Sequence, residues 1–213
     1  VFICTAQNEL SFIFQNTVSL GLAQLSGGIE VSKTYRSPNN LTMPAGTYFD
    51  CEVGGTGTWR VSNSTGSGRF NMYTGLRQSV DTYFAQLERD AGLCNTVRAA
   101  ESMGITVPFD PKTGVTDQVG PFTLGVTSVS PLTMAAAYAT AASGGMYCKP
   151  QPVDAIVDMD GEVLKEYTKE CERVMTKDNA AQINDILTGL QKPGGFGYSN
   201  GTALTIPSAA KTG

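Results

Sequence analysis

The chain has 213 residues, a formal net charge of −4 with 16% charged residues, and no histidine. That length suits one fair-sized domain with a real hydrophobic core, and its interspersed acids and bases form no basic stripe, which argues against nucleic acid as a partner. Without histidine there is no Ser-His-Asp or Cys-His nucleophile and no His-bearing zinc site. Five cysteines, Cys4, Cys51, Cys94, Cys148 and Cys171, contain no C-x-x-C pair. A zinc ribbon and a dithiol redox site are therefore disfavoured, and buried thiols and long-range disulfides both stay open. The longest apolar run, Leu132 to Ala142, is too short to span a bilayer. The chain opens mid-pattern at Val1-Phe2-Ile3-Cys4 with no visible signal peptide, as an excised piece would.

In chain order, Leu10 to Leu25 is an apolar segment of helical character that ends at Gly27-Gly28. Residues 29–69 are rich in Gly, Ser, Thr, Asn and Pro and read as an irregular surface loop region. They contain Asn40-Leu-Thr and Asn63-Ser-Thr, which with Asn200-Gly-Thr match the glycosylation pattern and nothing more. From Gly75 to Gly92, Leu76, Val80, Tyr83, Phe84 and Leu87 recur at helical spacing, so one face is predicted to be buried. Ser79 and Asp81 interrupt that run and predict two short helices, with Ser79 capping the second. A further helix starts at Leu93, carries Val97, Ala100 and Met103 on one face and stops at Gly104. Ser130-Pro131 has the form of an N-cap and a first-turn proline, opening a helix that ends at Gly144-Gly145. Asp160-Gly161 predicts a hairpin within Val153 to Tyr167. Asp178 is expected to cap a helix holding Ile183, Ile186, Leu187 and Leu190; Pro193 to Gly197 is a loop, and Ala203 to Lys211 a strand. The elements describe an α/β or α+β domain with an antiparallel sheet.

The terminal Lys211-Thr212-Gly213 is not a phosphate loop, because Thr205 and Ala210 stand where that pattern needs glycine. Acyl transfer without histidine can run on a serine nucleophile, a lysine as base or electrostatic partner, and further hydroxyls that relay protons and bind a carboxylate. Ser79, Asp81, Lys211 and Thr212 suit the helper roles. Taken alone, Ser79 and Asp81 read equally as a helix cap with a first-turn carboxylate.

Ser79-Val-Asp, Lys211-Thr-Gly, Ala99-Ala-Glu-Ser-Met-Gly-Ile, Leu124-Gly-Val-Thr-Ser-Val-Ser-Pro-Leu-Thr-Met and Cys148-Lys-Pro occur in the order found in penicillin-binding protein transpeptidase domains. The chain resembles that family, in its class A, actinobacterial form. The likeness is good over residues 68–213 and loose over 1–67. It implies one transpeptidase domain fragment over residues 1–213, with a central antiparallel sheet of about five strands flanked by helices. It also implies D,D-transpeptidation of peptidoglycan stem peptides through an acyl-serine, acylation by β-lactams, no metal and no organic cofactor. The family setting is extracytoplasmic and membrane-anchored, in class A proteins beside a glycosyltransferase domain. Ser79, Asp81 and Lys211 match the second and third motifs as catalytic positions, and Thr212 and Gly213 match substrate-binding positions.

Two departures stand out. The family usually has asparagine where Asp81 stands, and an ionised carboxylate can only accept hydrogen bonds. If Lys211 approaches it, the pair is expected to be ionised, and Asp81→Asn to leave acylation steady or faster. The nucleophile motif Ser-x-x-Lys occurs only as Ser208-Ala-Ala-Lys211, an accidental match whose lysine belongs to the third motif. Val1-Phe2 resembles the middle of the missing motif, which places its serine before Val1. These departures also fit a second reading, a non-catalytic relative that binds cell-wall peptide or a partner protein. An oxidising compartment and the Asp160-Gly161 turn together predict a Cys148–Cys171 disulfide, with Cys51–Cys94 the next candidate and Cys4 free.

Overall fold

Residues 29–69 are not the surface loop their composition predicts; with residue 70 they supply four strands and part of the core. The computed structural model describes Gly21 and residues 26–52 and 54–211. The Leu10 to Leu25 helix (Gly21 apart), Cys4, Thr212 and Gly213 lie outside the described residues. β1 (Tyr35–Ser37) pairs antiparallel with β4 (Gly68–Phe70), and β2 (Asn40–Met43) with β3 (Trp59–Ser62). The two ladders are successive parts of one ribbon, interrupted at Pro38, which has no N–H to give. Alternation is present, with Tyr35 and Ser37 buried around exposed Arg36 and Val61 buried between exposed Arg60 and Ser62. It lasts only three or four residues per strand, too briefly to stand out from the surrounding Gly, Asn and Ser.

The ribbon lies along the helix that bears the second motif. After α1 (Met72–Arg77) come α2 (Asp81–Ala91) and α3 (Leu93–Ser102). The predicted stripe Leu76, Val80, Tyr83, Phe84 and Leu87 is buried to 1% exposure or less. Side-chain hydrogen bonds join ribbon to α2, among them one from Thr82 Oγ1 to the Pro38 carbonyl (2.9 Å). Tyr35 Oη donates to Asp90 Oδ2 (2.6 Å), Tyr48 Oη to the Ala85 carbonyl (2.8 Å), and Gln86 Nε2 to the Arg36 carbonyl (3.1 Å), while Asn63 Oδ1 accepts the Thr82 N–H (2.8 Å). The last of these corrects the predicted cap. Val80, not Ser79, is the N-cap residue, and its apolar side chain caps nothing. Asn63, brought in from the ribbon, satisfies the donor instead. Its Nδ2 is engaged with the Pro38 and Gly66 carbonyls (3.1 and 2.7 Å), so a glycan on that nitrogen, which leaves it one N–H, would break at least one of the two bonds.

Downstream, α4 (Pro131–Ala142) starts and stops where predicted, with Ser130 accepting the Thr133 N–H (3.1 Å). Its small Ala137 and Ala141 let it approach α5 (Lys177–Thr188), and Asn184 Nδ2 donates to the Ala141 carbonyl (2.8 Å). The α5 cap is Thr176, which accepts the Asn179 N–H (3.1 Å). Asp178 sits inside the first turn, where its charge complements the helix dipole. Leu190 belongs to a following 3₁₀ turn, Gly189–Gln191, and the expected loop at Pro193 leads into a short helix, α6 (Phe196–Ser199).

β5 (Met146–Cys148) and β8 (Cys171–Arg173) pair and set Cys148 opposite Cys171; the chain between them returns through β6 (Ala155–Val157) and β7 (Val163–Glu166). The predicted Asp160-Gly161 turn is there, with the Asp158 carboxylate accepting the Asp160 and Glu162 N–H groups at 2.9 Å. The Cys148–Cys171 disulfide is formed, and so is Cys51–Cys94. The mixture of helices with antiparallel pairing stands as read from sequence, with a smaller strand count per sheet among the described residues than the expected five. The described residues form four two-stranded pairs. Ala203 to Lys211 is not a strand apart from a bridge at Ala209. Pro207 offers no N–H, the Leu204 N–H goes to the Gln191 side chain (3.0 Å), and the Ala210 N–H goes to the Leu187 carbonyl (3.3 Å).

Asn63→Ala removes a cap and two carbonyl donors, so it should cost about 1–2 kcal/mol of unfolding free energy in denaturant titration. Thr65→Ala, which spoils only the glycosylation pattern at an exposed position, should cost almost nothing. In the chain-entropy account, losing Cys51–Cys94 (separation 43) costs about 4 kcal/mol and losing Cys148–Cys171 (separation 23) about 3 kcal/mol. Unfolding of the two double-alanine variants checks that order.

Candidate active site

Ser79 occupies the short break between α1 and α2, and backbone bonds fix the break. The Ser79 N–H donates to the Leu76 carbonyl (3.0 Å) and the Val80 N–H to the Gly75 carbonyl (2.9 Å). Gly75 is required here for space, since a Cβ on it would lie 2.6 Å from the Tyr83 ring. Ser79 itself has φ +53°, the left-handed region that costs an ordinary L-residue about 1–3 kcal/mol. It is 7% exposed, and its hydroxyl receives a hydrogen bond from Lys211 Nζ at 2.7 Å, across 132 residues of sequence. Lys211 is 2% exposed and follows the buried Ala209 and Ala210. The structure therefore unites Ser79 and Lys211 as the motif reading expects, and sets Asp81 within electrostatic reach.

The electrostatics correct one expectation. Burial lowers the Lys211 pKa to about 8, and the Asp81 charge only partly opposes it. Burial likewise raises Asp81 above the ordinary carboxylate value, with Lys211 opposing. Desolvation outweighs mutual attraction at both groups, so both shifts run opposite to those that opposite charges alone would give, while a lysine titrating near 8 is still mostly protonated at neutral pH. Asp81 Oδ1 is buried with no hydrogen-bond partner among the described residues. A lysine titrating near 8 is substantially neutral in mildly alkaline solution and can exchange protons with a hydroxyl. Ser208, the other half of the accidental Ser-x-x-Lys, points its Oγ to Gln191 Oε1 (3.4 Å), while Lys211 bonds Ser79.

Sequence reasoning missed Glu88. It is fully buried on α2, neither carboxyl oxygen has a hydrogen-bond partner of good geometry among the described residues, and burial raises its pKa well above the usual range, the nearby Thr123 N–H opposing. The signal was available: Glu88 lies four residues after Phe84, on the buried stripe of the helix. Asn63 and Gln191 were also missed, and no local pattern marks either. No group of three or more metal-type ligands occurs among the described residues.

The fold and this pairing define a serine–lysine acyl-transfer architecture. Residues 38–213 match the penicillin binding protein transpeptidase domain family, and the chain belongs to it. It is 31% identical over 148 residues to penicillin-binding protein 1A of Clostridium acetobutylicum, covering 69% of this chain and 18% of that protein. To penicillin-binding protein 1A of Mycolicibacterium smegmatis it is 30% identical over 157 residues, covering 70% and 20%. The chain thus spans about a fifth of the length of these relatives. Among solved structures, it aligns with penicillin-binding protein A from M. tuberculosis in its ceftriaxone acyl-enzyme complex. The TM-score is 0.68 at 20% identity, over 95% of this chain and 47% of that one. The D,D-transpeptidase domain of a peptidoglycan glycosyltransferase from Eggerthella lenta gives 0.67 at 22% identity, over 94% and 52%. These likenesses bear on the fold.

Because folded Lys211 gives up its proton earlier than an unfolded lysine, stability should rise with pH between about 8 and 10.5 through this residue. Asp81→Asn removes the charge that opposes burial and should move the Lys211 midpoint below about 8. The pH dependence of Lys211 acetylation, followed by mass mapping of the full-length protein, reads that midpoint directly. An unchanged or higher midpoint in the variant would contradict the assigned sign.

Proposed function

We propose that this chain is the catalytic part of a peptidoglycan D,D-transpeptidase that works through an acyl-serine intermediate and is acylated by β-lactams. The observation that carries this reading is the 2.7 Å bond between buried Lys211 and Ser79, two motif residues far apart in sequence. In the reaction, an attacking serine acylates at the penultimate D-alanine carbonyl of a stem peptide, and the C–N bond to the terminal residue breaks. The attacking serine gives its proton to the lysine of its own motif, while the leaving amine takes a proton from the Ser79 hydroxyl, which Lys211 replenishes. The acyl group then passes to an amine of a second stem peptide, whose proton returns to Lys211 through Ser79 as the motif lysine hands its proton back to the departing serine oxygen. Thr212 and Gly213 hold the substrate carboxylate. The attacking serine comes from a Ser-x-x-Lys motif other than Ser208 to Lys211. The reading places the site on the extracytoplasmic face of the cell membrane, in a membrane-anchored protein that carries a glycosyltransferase domain. The relatives' greater length is consistent with that arrangement.

A second reading, a module that binds cell-wall peptide or a partner protein without catalysis, is favoured by the carboxylate of Asp81 where an amide is usual. Labelled penicillin added to the full-length protein separates the two. The transpeptidase reading expects covalent label, taken up about a hundredfold or more slowly by Ser79→Ala and by Lys211→Ala, and as fast or faster by Asp81→Asn. A folded full-length protein that takes up no label, yet binds stem peptide, would establish the second reading instead.

A further inference from the structure

Bonds from both halves of the site converge on residues 187–193, the end of α5 and the 3₁₀ turn Gly189–Gln191 that follows it. On the Ser79 side, Arg77 at the end of α1 donates through Nη2 to the Pro193 carbonyl and lies against Gly189 and Gly194. On the Lys211 side, Ala210 donates its N–H to the Leu187 carbonyl (3.3 Å), and Gln191 Oε1 accepts both the Leu204 N–H (3.0 Å) and the Ser208 hydroxyl (3.4 Å). The residue before Gln191, Leu190, is fully buried and anchors the turn in the core. The Gln191 amide nitrogen sits over Gly197, where a Cβ would come within 3.2 Å of it. The side chain is thus held through its amide oxygen, with the amide nitrogen packed beside Gly197. Apart from the bridge at Ala209, the segment 203–210 has no strand pairing among the described residues, so these bonds help to set its height in the fold.

We infer that Gln191 is a positioning residue that sets Lys211 against Ser79 by clamping the segment that delivers the lysine. The acceptor oxygen is the feature that matters. It faces a backbone N–H, which can only donate, and one oxygen with two lone pairs serves Leu204 and Ser208 together. Three residues separate Ser208 from Lys211, so releasing the clamp frees the approach to the site while leaving the motif intact. Freed, Lys211 would reach water and leave the neighbourhood of Ser79 and Asp81.

The inference rests on the transpeptidase reading for its functional half, and two measurements on the full-length protein keep the halves apart: penicillin label uptake against pH, and the Lys211 acetylation midpoint. Gln191→Ala is expected to slow label uptake roughly ten- to hundredfold and to move the Lys211 midpoint up from about 8 toward the 10.5 of a solvated lysine. Gln191→Glu keeps the acceptor oxygen and is expected to restore most of the rate. Should Gln191→Ala fail to fold, Ser208→Ala removes one of the two clamped groups and should shift the midpoint in the same direction by less. A Lys211 midpoint unchanged in Gln191→Ala overturns the inference, as does a Gln191→Glu form no better than the alanine form. A wild-type protein that takes no label, with a midpoint that still moves in Gln191→Ala, removes the enzymatic reading and upholds the positioning role.

Discussion

The fold has to keep an amine out of water. Lys211 is almost completely buried, and a buried ammonium is costly unless polar groups surround it. The protein meets that cost with the Ser79 hydroxyl and a nearby carboxylate, and lets the remaining penalty appear as a lowered pKa. The consequences spread outward. Ser79 must turn its hydroxyl toward the lysine, and the chain accepts a left-handed serine between two helices to do so. The second helix then begins on a valine that cannot cap it, and a side chain from another part of the chain fills that role.

That dependence explains why a stretch rich in Gly, Ser and Asn is structural. The ribbon β1 to β4 holds α2 along its length, through Asn63 at the start, Tyr48 and Gln86 in the middle and Tyr35 at the end. Tyr83 packs edge-on against Phe84 at 5.3 Å and against Tyr35 at 5.6 Å, so the ribbon and the helix share one aromatic cluster. A helix so fixed presents Asp81 and its preceding turn with little freedom.

The sequence made some of this legible and hid the rest for physical reasons. Residues that interact with near neighbours were readable. The stripe of α2, the Ser130-Pro131 start of α4 and the Asp158 to Glu162 turn follow from spacings of a few residues. The cap of α5 was placed two residues late because Thr176 and Asp178 are both good capping residues and only backbone geometry chooses between them. The Asn63 cap could not be read at all, since its partner is 19 residues away. For the site, motif likeness brought Ser79 and Lys211 together correctly. Charge reasoning about Asp81 failed because sequence carries no direct record of burial, and burial is the larger effect.

The 132 residues between Ser79 and Lys211 bear on how the protein comes into being. Bringing two such distant points together costs about 4 kcal/mol of chain entropy before any contact repays it, and contacts of that range form late in folding. Until they form, Lys211 is in water with an ordinary lysine pKa and Ser79 has no partner to hold its strained turn. The buried pairing of Ser79 with a lysine of lowered pKa therefore belongs only to the finished fold.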